Sequence, residues 1–585
     1  MMKAPAGTER RGNGRRTAPR STTPTRPFHM KKMKKILFSL LALTLLTLPA
    51  AAQDSDHNFK VAKNMDVMNA VYKQLDMMYV DTLDADEVLG NGIKRILNSL
   101  DPYTEYYPEQ EQKQLKSLLT GKFAGIGAII RKDLKLNRVV ITEPYEGMPA
   151  AEAGLRMGDV IVAVDGIDMT QRDQQVVSNH LLGDPGTSVE VKYLRPSTGK
   201  TQKLRITRRT IQLPTVPYYG LLAPGTGYIG VERFVEGSTA EVRRAFVELR
   251  KQGMKRLVLD LRGNGGGLEP EAVSLVNLFV PKGKTVVENR GKLSRMNRAF
   301  KTTAEPLDTV MPMVVLVDGM TASSSEITCG ALQDFDRAVI MGTRTYGKGL
   351  VQTTTELPYN GSMKLTTHRY YIPSGRCIQA INYKHKGDGS REQVADSLIR
   401  TFYTAGGRPV RDGGGIMPDS VIRPDSLTNL VAYLTELRDS NELVLSFERD
   451  YIARHERIAA PSEFLLSNQD FDDFKQRVIA SGFKYDQMTN KYLADLERLA
   501  RFEGYYDGAK DEFEALRKRL KPDLAHDLER DRQTLRELLS EQIAANYYYR
   551  RGSIELSLRF DRQVKAAGEL LNNPSAYTNI LHPAK

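Results

Sequence analysis

Between residues 209 and 425 short apolar runs alternate with amphipathic stretches of helical period. The sequence predicts a strand over Gly227–Phe234 and a helix over Thr239–Gln252, stopped by Gly253. A buried strand over Arg256–Arg262 then opens into Gly263-Asn-Gly-Gly-Gly267, and a helix covers Glu271–Phe279. A second strand–helix unit follows, Met313–Val317 and then Ser325–Gln333. Strands and helices in this order bury their apolar faces as an α/β core.

At 585 residues the chain is too long for one core, so several domains are expected. Residues 53–120 read as a helical segment. Val67, Val71, Leu75 and Met78 form one apolar stripe, Leu89, Ile93 and Leu97 a second, and Leu100-Asp-Pro-Tyr103 a closing turn. Residues 121–208 change to strand patterning. Phe123–Ile130 is a glycine-hinged strand, followed by Val139–Thr142, Val160–Val164, Gly186–Tyr193 and Lys203–Thr207. Residues 426–585 are charged and leucine-periodic, through Leu493, Leu496 and Leu499, Leu516 and Leu520, Leu524 and Leu528, and Leu535 and Leu539. They read as a helical domain with solvated charged faces, serving as scaffold or as a homo-oligomer contact.

The formal net charge of +13 points to no nucleic-acid partner. Residues 1–35 hold eleven Lys or Arg and one acidic residue, Glu9, so the remainder is close to neutral. Met30-Lys-Lys-Met-Lys-Lys35 is a basic stretch, Ile36–Leu48 an apolar one, and Ala50-Ala-Ala52 a run of small residues. Together they predict a secretory signal peptide cleaved near Ala52, within a leader of residues 1–52. An apolar run of 13 residues is short of the roughly 20 that cross a bilayer, so an exported protein, periplasmic or secreted, is expected. The two cysteines, Cys329 and Cys377, do not make a disulfide scaffold. The eight histidines show no zinc spacing, so no metal and no cofactor is assigned.

The chemistry concentrates at Thr321-Ala-Ser-Ser-Ser-Glu326, where a buried-type strand ends in a turn dense with hydroxyls, and at Gly347-Lys-Gly349 downstream. A serine hydroxyl needs a base. A lysine can be that base once burial or neighbouring charge brings it down from its usual value near 10.4. Gly263–Gly267 can offer backbone N–H groups to an oxyanion, and the residue after the nucleophile another. Taken singly, each piece also reads as an ordinary helix cap, turn or surface loop. Gly342-x-x-x-x-Gly347-Lys348 nearly spells a phosphate-binding loop, but Gly349 stands where that motif needs Ser or Thr.

Pro149–Ile161, with Ala153-Gly-Leu155, Gly158-Asp-Val-Ile161 and Val164-Asp-Gly166, resembles a PDZ domain over residues 121–208. A PDZ domain holds a free C-terminus as an added strand, and by position Gly125-Ile126-Gly127 is the carboxylate-binding turn. Residues 53–425 resemble a C-terminal processing peptidase, or tail-specific protease. The pieces are Leu100-Asp-Pro, the PDZ segment, Asp260-Leu-Arg-Gly-Asn-Gly-Gly-Gly-Leu268, Thr321–Ile327, Ala331-Leu-Gln-Asp334, Gly342–Gln352, Tyr370-Tyr-Ile-Pro-Ser-Gly-Arg376 and Gly415-Ile-Met-Pro-Asp419.

The resemblance implies a ClpP/crotonase-like α/β catalytic core (209–425) with an inserted PDZ domain, an N-terminal helical segment (53–120) and a C-terminal helical domain (426–585). It implies Ser323 as nucleophile, Lys348 as general base and Gln352 as the residue that orients the lysine, one helical turn on. It implies an oxyanion hole of Ser324 N–H and a glycine of the Gly266-Gly267 pair, with Gly266 favoured. Asp334 is expected to be structural. The chain departs from the family at Gly265, where proline is frequent, and at Ser324, where alanine is frequent. The second departure leaves three adjacent serines. The implied function is an exported serine endopeptidase that selects protein substrates by a free apolar C-terminus. The rival is a catalytically silent PDZ scaffold on the same core.

Overall fold

The computed structural model describes residues 56–112, 115–116, 120–133, 136–196, 198–383, 392–393, 396–435, 441–485, 487–521 and 523–583. The basic leader and the expected signal peptide, residues 1–52, lie outside them. The chain divides into two compact units, residues 1–91 and 92–585. In the first, residues 56–78 form a helix. Its apolar stripe does not pack: Val67 and Val71 are each 53% exposed and Met78 is 74% exposed. No described helix is long and apolar enough to cross a membrane.

The second unit is built on a six-stranded sheet. Its order is Tyr219–Ala223, Thr226–Gly230, Arg256–Asp260, Met313–Val317, Val339–Gly342 and Ser420–Val421. The first two strands form an antiparallel hairpin and every later pairing is parallel. The first three crossovers each carry a helix, Ser238–Lys251, Glu269–Asn277 and Ser324–Asp334, and the last, into Ser420–Val421, carries the strand Leu350–Glu356 and its partner Ser362–Tyr371. The expected units are therefore present, with the first strand ending at Gly230 and not at Phe234.

The strand run Met313–Val317 is apolar at every position because both sheet faces are covered. Met313, Val315 and Val317 point into the cluster shared with the crossover helices. Val314 and Leu316 point the other way, against Val564, Ala567, Leu571, Tyr577 and Leu581 of the last two helices, Arg562–Leu571 and Pro574–Leu581. The Tyr577 hydroxyl donates to the Met313 carbonyl and accepts from its N–H, both at 3.0 Å. The end of the chain is thus the second layer of the sheet. The helices between 429 and 557 have their own core around Phe447, Phe471, Phe474, Leu528, Leu535 and Leu539. Leu496 and Leu499, expected on an apolar seam, are half exposed.

A second, antiparallel sheet carries Glu105–Tyr107, Ser362–Tyr371, Thr285–Gly291 and Arg298–Lys301, and Leu350–Glu356 also pairs with Ser362–Tyr371. The strand Glu105–Tyr107 falls where only helix was expected. It has three residues and a partner more than 250 positions away, so no local pattern announces it. The six-stranded β-domain between residues 128 and 207 is joined at its base by Lys122–Gly125 paired antiparallel to Arg209–Gln212, so the chain enters and leaves it side by side.

Truncating the buried Leu571 to alanine is expected to cost about 2–5 kcal/mol. The loss should appear as faster amide exchange across strand 313–317, measured by mass spectrometry. A tail independent of the sheet would leave that strand unchanged.

Candidate active site

The three serines are separated by what their hydroxyls do. Ser324 Oγ donates to the Gly267 carbonyl at 2.8 Å and Ser325 Oγ to the Asn264 carbonyl at 3.0 Å. Both residues are buried. They fasten the start of helix Ser324–Asp334 to the glycine loop, helped by Ala322 N–H on the Asn264 carbonyl at 3.0 Å. Ser323 is partly exposed, and its hydroxyl donates to no acceptor among the described residues. It occupies φ 57°, ψ −118°, a strained conformation for a residue with a side chain. Such strain presents a side chain at the tip of a sharp strand-to-helix turn.

The glycine loop must approach this turn closely. A Cβ on Gly266 would lie 2.8 Å from Ser323 Cβ and 2.9 Å from Ser324 N, and its φ is +98°. Ser324 N–H, in the first helical turn, has no acceptor among the described residues. Gly266 N–H does not lie open as expected: it donates to Asn264 Oδ1 at 2.9 Å, while Asn264 Nδ2 holds the Val231 carbonyl. Gly267 N–H has no acceptor among the described residues.

Lys348 lies in a loop after strand Val339–Gly342. A strand, Leu350–Glu356, follows and not a helix, so the structure offers none of the strand–loop–helix context of a phosphate-binding loop. Gly347, at φ +86°, is pressed against residue 380: a Cβ there would fall 2.3 Å from Ala380 Cβ. The lysine is half-buried, and burial, reinforced by the charge of Lys364, lowers its amine from 10.5 to about 8. Glu326, Asp101 and Glu105 pull the other way and are outweighed. Its Nζ stands 4.3 Å from the centre of the Tyr103 ring. Among the described residues no hydrogen bond joins it to Ser323.

Gln352 is in the strand, so the expected helical turn between it and Lys348 is absent. Its Nε2 donates to Thr366 Oγ1 at 3.2 Å. Asp334 pairs with Arg376 at 2.8 Å and accepts from Ser374 N–H; both charged partners are buried. Those bonds give it a structural task.

Three residues around the site were not singled out by sequence reasoning. Glu326, fully buried, accepts from Ser323 N–H (2.9 Å), Lys348 N–H (2.9 Å), Gly347 N–H (2.8 Å) and Thr345 Oγ1 (2.5 Å). Burial pushes its carboxyl up to about 7 against those four donors. The Ser-x-x-Glu spacing of a capping box was the available signal. Tyr370 donates to the Ser323 and Lys348 carbonyls. Tyr103 is set by Asp101, whose carboxylate accepts Tyr103 N–H and Thr104 N–H, each at 2.8 Å.

In the β-domain, Gly125, Ile126 and Gly127 are buried, and Gly127 has φ +74°. The N–H groups of Ile126 and Gly127 have no acceptor among the described residues. Among the described residues the strand that follows, Ala128–Asp133, pairs on one side only, with Arg138–Pro144. A buried turn with unpaired donors beside an open sheet edge suits a peptide carboxylate.

Residues 225–385 match the model of peptidase family S41, residues 140–195 that of the PDZ domain, and residues 433–571 one described as "Probable PDZ-protease, C-terminal helical domain". The chain is 31% identical over 356 residues to a carboxy-terminal-processing protease of Bartonella bacilliformis, covering 60% of this chain and 81% of that one. It is also 31% identical over 389 residues to a "Probable CtpA-like serine protease" of Staphylococcus aureus, covering 64% and 76%. Among solved structures, the photosystem II D1 C-terminal processing protease is 29% identical over 60% of this chain and 85% of its own, with a TM-score of 0.33.

With Lys348 as the base, phosphonylation of Ser323 Oγ by a fluorophosphonate, with loss of fluoride, follows the neutral amine. The rate is expected to climb about tenfold per pH unit below neutrality and to level off above a midpoint of about 8. Ionisation of Glu326 near pH 7 opposes this rise, because its carboxylate favours the ammonium of Lys348. A rate that is flat, or falls, between pH 6 and 9 would remove the lysine from this role.

Proposed function

We propose that this chain, which belongs to the carboxy-terminal-processing proteases of peptidase family S41, is an exported endopeptidase with a Ser323–Lys348 dyad that selects substrates by their C-terminal tails. One observation carries the reading: of three adjacent serines, only Ser323 keeps a partly exposed hydroxyl that donates to no acceptor among the described residues, and one carboxylate, Glu326, ties its backbone to that of a lysine lowered to about 8.

In this mechanism the Lys348 side chain swings from the Tyr103 ring toward Ser323. Catalytic hydrogen bonds of this kind tighten when substrate is bound. The neutral amine takes the Ser323 proton as Oγ attacks the scissile carbonyl. The oxyanion is met by Ser324 N–H and by a glycine N–H of the 266–267 pair. Gly266 serves once Asn264 releases it, and Gly267 is the alternative. The lysine returns its proton to the leaving amine, then activates water against the acyl-enzyme. Gln352, with Nε2 on Thr366, keeps Oε1 to accept from the ammonium.

Substrate tails dock as a strand along Ala128–Asp133, with the terminal carboxylate at Gly125, Ile126 and Gly127. Cleavage then falls upstream of the held end, where tethering raises the local concentration of the scissile segment. The protein reaches these substrates outside the cytoplasm, after cleavage near Ala52.

Ser323→Ala and Lys348→Ala are each expected to lower cleavage of an unfolded protein substrate by at least about 1,000-fold, a triad-scale loss, with the melting temperature retained. The same substrate with two aspartates appended, or with an amidated C-terminus, should be cleaved more slowly than the native apolar tail. Full activity in Ser323→Ala would move the nucleophile elsewhere. No activity in the wild-type protein would favour the silent scaffold, and equal rates for the three tails would take tail selection away from the PDZ domain.

A further inference from the structure

Tyr370 lies in the strand Ser362–Tyr371 and is 1% exposed. Its own N–H donates to the Gly349 carbonyl at 3.1 Å, which fixes the residue beside the base loop. Its hydroxyl reaches the Lys348 carbonyl at 2.5 Å and the Ser323 carbonyl at 3.1 Å. Glu326 makes the complementary pair of contacts, accepting from the N–H of the same two residues at 2.9 Å. One donor and one acceptor thus grip both peptide units.

We propose that Tyr370 is a positioning residue: its buried hydroxyl, working against the Glu326 carboxylate, fixes the separation between the backbone that bears the nucleophile and the backbone that bears the base. The proposal rests on the Ser323–Lys348 reading. A phenol has a single proton, so its two carbonyl contacts are unequal, and the shorter one goes to Lys348. The Ser323 carbonyl also receives Ile327 N–H at 2.9 Å, so it does not depend on Tyr370. The Lys348 carbonyl has no second donor among the described residues. Removing the hydroxyl therefore leaves the nucleophile turn in place and loosens the base loop. A misplacement near 1 Å is enough to cost about 100-fold in rate.

The charged and titratable groups around Lys348 come from four elements. They are Glu326 on the helix, Lys364 and Glu105 on two paired strands, and Asp101 and Tyr103 on the turn. Tyr370 itself faces Glu326, Cys329, Cys377 and Glu269. A loosened loop admits water to the amine. Hydration favours its charged form and moves its ionisation back toward that of a free lysine.

The test compares wild type, Tyr370→Phe, a variant with 4-aminophenylalanine in place of Tyr370, and Ser323→Ala, all as the full mature chain on one unfolded protein substrate. Tyr370→Phe is expected to lose about 10–100-fold in kcat with KM within about twofold. Its pH–rate midpoint should also move above that of the wild type. The aniline N–H, a weaker donor than a phenol, should return kcat and midpoint to values between those of Phe and Tyr. A role in stability alone would lower the melting temperature without moving the midpoint. Wild-type kcat and midpoint in Tyr370→Phe overturn the proposal. If that variant does not fold, wild-type values in the 4-aminophenylalanine enzyme overturn it instead. An inactive Ser323→Ala beside an unaffected Tyr370→Phe rejects the clamp and keeps the nucleophile. An active Ser323→Ala rejects the reading on which the clamp is built.

Discussion

A single buried carboxylate holds two halves of the site together. Glu326 stands at the third position of helix Ser324–Asp334, close enough to reach back to Ser323 N–H and outward to the loop of Lys348. Burying a charge there is costly, as the rise of its carboxyl to about 7 records. Four donors offset the cost, and the helix N-terminus favours negative charge at this point. The consequence is geometric. Residues 323 and 348 cannot separate without leaving backbone N–H groups and a carboxylate unpaired in the interior, a penalty of about 1–3 kcal/mol for each group.

The same burial that is expensive for the acid is useful for the base. Lys348 sits among three carboxylates and over an aromatic face, all of which favour the ammonium. Desolvation nonetheless prevails, with Lys364 adding like-charge repulsion. Lys364 is itself paired with Glu105 at 3.0 Å, on the short strand that follows the Tyr103 turn. The environment of the base is therefore assembled from the N-terminal turn, the antiparallel sheet and the helix of the nucleophile. None of these is adjacent to Lys348 in sequence.

That dispersal explains what could be read from the sequence and what could not. Each strand–helix unit of the parallel sheet follows from local apolar pattern, and the positions of Ser323 and Lys348 follow from compact motifs. Tyr370 and Tyr103 become parts of the site only through pairings that span tens to hundreds of residues. The helical turn expected between Lys348 and Gln352 is absent because Gln352 lies in the strand Leu350–Glu356, whose pairing with Ser362–Tyr371 no local spacing announces. The uniformly apolar run Met313–Val317 did signal a sheet covered on both faces. The sequence around it could not say that the cover would be helices 562–581, read locally as part of a tail.

The C-terminal helices reach the glycine loop through a partly buried ionic cluster. Arg262, one residue before the glycine loop, pairs with Asp260 and with Asp561 at 2.8 Å, and donates to Gln563 Oε1 at 2.8 Å. Asp561 also caps the helix Arg562–Leu571 through Gln563 N–H and Val564 N–H. The start of that helix and the start of the glycine loop thus share one guanidinium. From Arg262 the chain passes directly to Gly263, whose N–H is held by Asp318 ahead of the nucleophile turn. In the proposed mechanism, the glycine donor of the oxyanion hole is accordingly anchored on one side by the last helices of the chain and on the other by the turn that carries Ser323. Asn264 stands between these anchors with its amide oxygen on Gly266 N–H. Rotation of that one side chain is the smallest movement that would free the donor, and it leaves both anchors in place.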